Sequence, residues 1–321
     1  MRILVTGGAG FIGSYLCEAL IAKGNQVAAL DDLSTGSTKN IFHLFENPNF
    51  VFHNASITNR QIVEKLISDC DVVMHFAAAV GVTNIIENPI GSLQTNIQGT
   101  ENVLFASVNH EKEVILASSS EIYGKNPAVP LKEESDRVLG SPLKSRWTYS
   151  EAKAIDESLA RALFEEQGLK VKIVRLFNTV GPRQSAAYGM VIPRFFKAAL
   201  NDEPIIVHGD GLQSRVFCHI SDAISGIISL WESNGGFGEA FNLGGFEETS
   251  ILNLANRIRT MAKSNSEIKF VPYENLPGGF EDISRRVPSN EKLEKLSGWT
   301  AIKDLDSILA DILNHLKFEN N

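Results

Sequence analysis

Met1-Arg-Ile-Leu-Val-Thr-Gly-Gly-Ala-Gly-Phe-Ile-Gly13 is the stretch that decides the fold. Ile3–Val5 is an apolar run of strand length, glycines follow at Gly7, Gly10 and Gly13, and a helix is expected from Phe11 onward. A strand, a glycine-rich turn and a helix N-terminus in that order form a cradle for a pyrophosphate. Gly7 permits the tight turn, Gly10 lets main-chain N–H groups approach, and Gly13 lets helix and strand pack closely. Phe11 and Ile12 begin the helix and belong to the same cradle. A second apolar run, Val27–Leu30, ends in Asp31, about where a carboxylate grips a ribose 2′-hydroxyl. A carboxylate there repels a 2′-phosphate, which favours NAD over NADP. The plain alternative is a strand–turn–helix without a ligand, and the context on both sides argues against it.

Composition bounds what else the chain can be. Its 321 residues allow two domains, or one large α/β domain with an appended lobe. Hydrophobic residues make up 43% and charged ones 21%, enough to build a full core. The net charge is −8 with no basic block, so nucleic acid is not an expected partner and any bound phosphate must be held by local donors. Cys17, Cys70 and Cys218 sit in apolar surroundings at unrelated spacings, which suggests a reducing compartment and neither a disulfide framework nor a metal site. The first residues enter a strand at once and no apolar run approaches membrane-spanning length. The expectation is a cytoplasmic protein.

Strand and helix patterns alternate along the chain. A loop over the adenosine half of a cofactor is expected at Leu33–Gly36, and a third strand at Phe50–Phe52. Helical spacing follows over Thr58–Asp69, and a fourth strand, Asp71–Phe76, ends in Ala77-Ala78-Ala79. A helix over about Ile90–Asn109 precedes the strand Glu113–Ala117, which delivers Ser118-Ser119-Ser120-Glu121. After a charged, proline-containing loop (Lys125–Arg146) come a helix from Tyr149 to about Gly168 and a strand at Lys170–Leu176. This alternation predicts an α/β fold with a doubly wound parallel sheet, whose ligands bind at the carboxyl ends of the strands. A Rossmann-type domain is expected over 1–178, with 214–234 returning to it, and a smaller C-terminal α/β substrate lobe over 179–321. Asn242–Leu254 and Asp282–Trp299 are expected in that peripheral lobe.

Tyr149 and Lys153 stand four residues apart, on one face of a helix. A lysine there lowers the phenol pKa, and such a tyrosine can take a proton from a hydroxyl while hydride leaves the same carbon for a nicotinamide. The alternative is an exposed tyrosine beside a solvated lysine. The upstream glycine turn and the Ser/Glu cluster at a strand end favour catalysis.

Taken together, these motifs resemble the extended short-chain dehydrogenase/reductase family, in particular its NAD-dependent nucleotide-sugar epimerases, dehydratases and decarboxylases. The resemblance rests on Thr6–Gly13, Asp31–Gly36, His75–Ala78, Asn96–Thr100, Ser118–Gly124, Tyr149–Lys153, Arg175–Arg183 and Ser214–Asp222, and covers essentially the whole chain. It implies NAD as cofactor, a nucleoside-diphosphate sugar (UDP-sugar first) as substrate, and a homodimer built on the helices near 90–109 and 149–168. It implies oxidation of the sugar C4 hydroxyl as the first step. Tyr149 would be the base, Lys153 would hold the nicotinamide ribose, and Ser119 would hydrogen-bond the reacting oxygen. Asp32, Ser34, Thr35, Gly36, Phe76, Ala77 and Ala78 match cofactor-lining positions. Asn178, Arg183, Arg215 and Arg286 match positions that contact sugar or diphosphate, although each arginine could instead form a salt bridge.

Residues 119–121 bear on the step after oxidation. Dehydratases of the family place Asp before the Glu, and here that position is Ser120. Simple 4-epimerases need no acid or base beyond the tyrosine, so Glu121 exceeds that requirement, unless it is a structural carboxylate. Ser119-Ser120-Glu121-Ile122-Tyr123-Gly124 resembles the decarboxylase pattern, as do Asn88-Pro-Ile90 and Arg175–Arg183, whereas Gly81-Val82 is more epimerase-like. A UDP-glucuronate decarboxylase-like enzyme is expected, with a UDP-hexose or UDP-uronate 4-epimerase as the main alternative. Net C4 oxidation to a 4-keto sugar nucleotide and a non-catalytic NAD-sensing regulator are further ones. One departure stands out: Ala55-Ser56-Ile57 occupies the place of the family's Gly-Asp-Ile, so Ser56 would offer the adenine amino group an uncharged acceptor beside Ile57. His75 and His219 are expected to pack, Asn96 to be structural or water-organising, and no residues show metal-ligand spacing.

Overall fold

Strand β1 (Arg2–Thr6) divides its side chains between two cores: Ile3 and Val5 pack on one face of the sheet and Leu4 on the other. Such burial on both sides explains why its sequence is continuously apolar rather than alternating. The computed structural model describes residues 1–81, 88–185, 190–275 and 282–319. Its strands are β1, β2 (Gln26–Asp31), β3 (Phe50–Asn54), β4 (Val72–His75), β5 (Glu113–Ser119), β6 (Val171–Leu176), β7 (Thr179–Val180), β8 (Ile205–His208), β9 (Ser214–Val216), β10 (Cys218–His219), β11 (Ala240–Leu243), β12 (Glu248–Ser250), β13 (Ile268–Val271) and β14 (Arg285–Arg286). Seven of them form one parallel sheet in the order β11-β6-β5-β4-β1-β2-β3. Chain order reverses beside β1, the crevice where open α/β sheets bind ligands.

Helices cover both faces. Phe11–Ala22 and Ile220–Glu232 bury Leu16, Leu20 and Ile227 against one; Arg60–Ser68, Gly99–Asn109 and Thr148–Gln167 bury Val63, Leu104 and Leu163 against the other. A third core holds the lobe together, where Val191–Leu200, Ile251–Ala262 and Leu305–Glu319 enclose Phe195, Leu254 and Ile308 beside β8. Buried Lys172 ties β6 to the end of the helix Ile220–Glu232: its ammonium donates to the carbonyls of Leu230, Trp231 and Ser233 at 3.0, 3.1 and 2.7 Å.

Two elements differ from expectation. The helix expected over Ile90–Asn109 is three segments, an α-helix at Pro89–Leu93, a π-helical turn at Gln94–Gln98 and an α-helix at Gly99–Asn109. The stretch beginning at Asn242 is not wholly peripheral, because β11 extends the main sheet beside β6. Buried Asn242 fastens that edge, accepting from the Tyr123 hydroxyl at 2.6 Å and donating to the Leu131 carbonyl at 3.0 Å. Cys17, Cys70 and Cys218 are buried free thiols. Among the described residues no helix is long and apolar enough to cross a membrane.

Candidate active site

A cavity of about 1100 Å³ opens along the carboxyl ends of the central strands. At one end is the glycine turn. Gly7 has φ +71°, and a Cβ there would come within 2.8 Å of the Ala77 nitrogen; a Cβ on Gly13 would lie 2.0 Å from the Gly7 carbonyl oxygen. Only glycine leaves the turn this close to the end of β4. Gly10, Phe11 and Ile12 line the cavity with them. Asp31 lies in the wall, its Oδ2 accepting from the Ala9 N–H at 3.0 Å and its Oδ1 from the Leu33 N–H at 2.8 Å. Burial raises its pKa, and those N–H donors oppose the rise. Asp32, Ser34, Thr35, Gly36, Ile57, Phe76, Ala77 and Ala78 complete this end. A cradle that any Cβ would fill, with an oriented carboxylate beside it, fits a dinucleotide.

At the other end β5 runs into Ser118, Ser119, Ser120 and Glu121, all in the cavity wall with Tyr149. Ser119 Oγ accepts from the Glu121 N–H at 3.2 Å and caps the short turn Ser120–Tyr123. The same side chain hydrogen-bonds Tyr149, in the first turn of Thr148–Gln167. Strand end and helix are laced together underneath: Ser118 Oγ donates to Glu157 Oε1 at 2.5 Å, and Arg175 grips both Glu157 oxygens. The expected lowering of the Tyr149 pKa does not prevail. Burial raises it, Lys153 lowers it, Glu121 and Asp156 raise it, the Ser119 hydrogen bond lowers it, and the net direction is up. Lys153 is only 2% exposed, behind the cavity wall, with Nζ 3.2 Å from Asp156 Oδ2.

Glu121 has a setting that the sequence did not suggest. Its Oε2 lies 2.6 Å from Arg146 Nη1 and its Oε1 lies 2.7 Å from Arg286 Nη1. Burial alone would raise this carboxyl, but Arg286 and Arg146 hold it at about 2. Both arginines line the cavity, Arg146 also lies over the Trp147 ring at 5.3 Å, and Arg286 reaches Ser120 Oγ at 3.4 Å. Two guanidiniums around one carboxylate leave a net positive charge facing the ligand space. Arg146 was not among the expected residues. The available signal was its position three residues before Tyr149, which the turn Ser145–Trp147 brings to the same side.

The remaining expected residues divide. Asn178 and Arg183 line the cavity; Asn178 Nδ2 donates to the Val216 carbonyl at 2.8 Å, and Arg183 pairs with Glu18 at 2.5 Å over the Tyr15 ring. Two are not brought to the wall. Ser56 Oγ faces its own turn, accepting from the Thr58 N–H and hydroxyl at 3.3 and 3.0 Å, because its short side chain satisfies local donors first. Arg215 is engaged by Asp282 at 2.6 Å and by the carbonyls of Ser214 and Ile283 at 2.7 Å. Val82 lies outside the described residues. Asn96, in the π-turn, clasps Ala79, its Oδ1 2.7 Å from the Ala79 nitrogen and its Nδ2 3.1 Å from the carbonyl.

This parallel sheet with its glycine turn defines a Rossmann-type dinucleotide-binding fold, and comparison with known proteins narrows the class. Residues 3–244 match the model of the NAD dependent epimerase/dehydratase family. The chain belongs to that family of NAD-dependent enzymes, which act on nucleotide sugars. It is 40% identical over 297 residues to a UDP-N-acetyl-α-D-glucosaminuronate decarboxylase of Bacillus cytotoxicus, covering 92% of this chain and 91% of that one. It is 35% identical to UDP-glucuronic acid decarboxylase 1 of Danio rerio, over 99% of this chain and 73% of that one. Among solved structures it is similar to UDP-glucuronic acid 4-epimerase of Bacillus cereus in complex with UDP-glucuronic acid and NAD (TM-score 0.90, 29% identity, 99% of this chain and 100% of that one).

Proposed function

We propose that the protein is an NAD-dependent decarboxylase of a UDP-uronate, UDP-glucuronate or its 2-acetamido counterpart. The observation that carries this is the Arg146–Glu121–Arg286 cluster beside Ser119 and Tyr149. A neutral hexose offers those arginines hydroxyls but no anion, whereas the C5 carboxylate of a uronate matches their charge and their planar donor geometry. The Nε of each is buried without a hydrogen-bond partner among the described residues. The relatives named as decarboxylases support the same outcome.

The glycine turn, Asp31 and the backbone around Phe76–Ala78 would hold NAD, and its nicotinamide, when bound, supplies the acceptor for hydride from sugar C4. Tyr149 takes the proton of the C4 hydroxyl and later returns it, while Ser119 hydrogen-bonds that oxygen. Lys153 contributes positive charge from behind Tyr149 rather than from the cavity wall. A 4-keto sugar with a carboxylate on C5 is a β-keto acid, so its C–C bond breaks readily. Arg146 and Arg286 orient the carboxylate until CO₂ leaves, its bonding pair passing into the C4–C5 enolate. C5 then takes a proton from solvent, and return of the hydride to C4 with the Tyr149 proton on its oxygen restores the hydroxyl. Held at about 2, Glu121 stays ionised and acts by placing both arginines instead of donating a proton. Asn178 and Arg183 are proposed to contact the diphosphate side of the sugar nucleotide. The helices Gly99–Asn109 and Thr148–Gln167, which expose Phe105 and Ile155, are proposed to pair in a homodimer.

Competition binding tests the site directly. UDP-glucuronate should displace a fluorescent UDP probe at concentrations at least about tenfold below UDP-glucose, and Arg286→Met should erase the preference. Equal affinity for the two sugars in the unaltered protein would remove the uronate assignment. A UDP-uronate 4-epimerase would use the same clamp, as the similarity to the Bacillus cereus epimerase allows. Release of CO₂ separates the two.

A further inference from the structure

Behind the active site lies a buried polar chain that neither the cofactor cradle nor the arginine cluster uses. Thr6, His75, Thr100 and Asp156 are each at most 2% exposed, and they connect the end of β1 to Lys153. Thr6 Oγ1 accepts from the N–H groups of Phe76 and Ala77, both at 3.2 Å, and lies 2.7 Å from His75 Nδ1. His75 Nε2 is 3.1 Å from Thr100 Oγ1, and Thr100 Oγ1 donates to Asp156 Oδ2 at 3.3 Å. Lys153 Nζ donates to that same oxygen at 3.2 Å.

Donor counting fixes the direction of every link. Thr6 already accepts two N–H groups, so its single hydroxyl proton goes to His75 Nδ1. His75 is neutral, its pKa lowered to about 3 by burial and by Lys153, so with Nδ1 accepting its proton sits on Nε2 and points at Thr100. The Thr100 hydroxyl is then left to donate to Asp156. From the backbone of the cofactor cradle onward, each donor points toward the Asp156 carboxylate, and Lys153 meets it from the opposite side. Such an aligned chain polarises in one sense and favours a carboxylate at its end.

We propose that Asp156 is a positioning residue, the counterion that this donor chain builds into the core to fix the Lys153 ammonium behind Tyr149. The proposal rests on Tyr149 as the base. Burial works against the Lys153 charge, and Asp156 with Tyr149 more than offsets it. The groups acting on Tyr149 are Lys153 and Asp156 from its own helix and Ser119 and Glu121 from the end of β5, with Arg146 and Arg286 on Glu121. Of these, Glu121 and Asp156 oppose Lys153, and of the two it is Asp156 that is paired with it. The pair therefore grades the acidity of Tyr149, where an unpaired lysine would maximise it.

The test is Asp156→Asn, nearly isosteric and uncharged. At a pH of about 10, the ordinary phenol value, the phenolate absorbance that disappears on Tyr149→Phe should be several-fold larger in the Asp156→Asn background. No sugar enters that measurement, so it decides the role of Asp156 even if UDP-uronates prove not to be substrates. In turnover, the acid limb of the kcat profile should move about one pH unit lower. A folded Asp156→Asn protein with an unmoved phenolate signal overturns the proposal, as does a kcat loss at every pH without displacement of the profile. Asp156→Ser, smaller and still polar, carries the same test should Asp156→Asn not fold.

Discussion

Two arginines clamp Glu121, and that limits what its carboxylate can do. With its carboxyl held at about 2 against an ordinary 4.5, the group contributes stability that is fully present above pH about 4.5 and fades as pH falls toward about 2. Glu121→Gln leaves two buried guanidiniums without their anion and should cost about 3–5 kcal/mol at pH 7. The gap in Tm between this variant and the unaltered chain should narrow as pH drops through that window. A constant gap would mean that the pair is not ionic. Tyr149→Phe should lower kcat by about 10²–10⁴-fold with little change in NAD affinity, measured by titration calorimetry beside steady-state rates. Tyr149 and Lys153 were legible as candidates from their helical spacing together with the glycine turn upstream, and Ser119 and Glu121 from their place at a strand end and the family resemblance. Arg146 and Asp156 were not, since an arginine before a helix and an aspartate within one are ordinary until the fold shows what they face.

At the scale of elements, the π-turn Gln94–Gln98 bears most directly on the cavity wall. It holds Asn96 against both backbone groups of Ala79, just past the cavity residues Phe76–Ala78. Asn96→Ala frees two part-buried polar groups there, worth about 1–3 kcal/mol, and should weaken NAD binding by roughly tenfold or more while the protein stays folded. Unchanged affinity would show that Ala79 is held by other contacts. The strands and helices of the sheet were legible from apolar runs and periodicity, since each buries a face. A π-turn leaves no comparable trace, because one added residue per turn does not disturb a pattern of mixed polar and apolar side chains. Nor can four residues, Ala240–Leu243, announce whether they join the main sheet or a lobe; partners far away in sequence, β6 and Tyr123, decide that.

Across the whole molecule, one edge of the sheet opens on a single cavity with two ends: a glycine cradle near β1 and a Ser119, Tyr149 and arginine cluster beyond β5. The first is dictated by local sequence, and the family by the order of motifs along the chain. The proposed substrate choice is not, because it rests on three charges, Glu121, Arg146 and Arg286, drawn from distant segments. The same scale governs assembly: sedimentation should return a dimer, with a charge at Ile155 (Ile155→Glu) shifting it to monomer, and a monomeric unaltered protein would contradict the proposed pairing. The most direct measurement of the central claim is incubation of the purified protein with NAD and either UDP-glucuronate or UDP-N-acetylglucosaminuronate, then mass spectrometry of the sugar nucleotide and assay of released CO₂. A product lighter by one CO₂ than its substrate, with matching gas release, is predicted for at least one of the two. An isomer of unchanged mass, or no turnover of either, would contradict it.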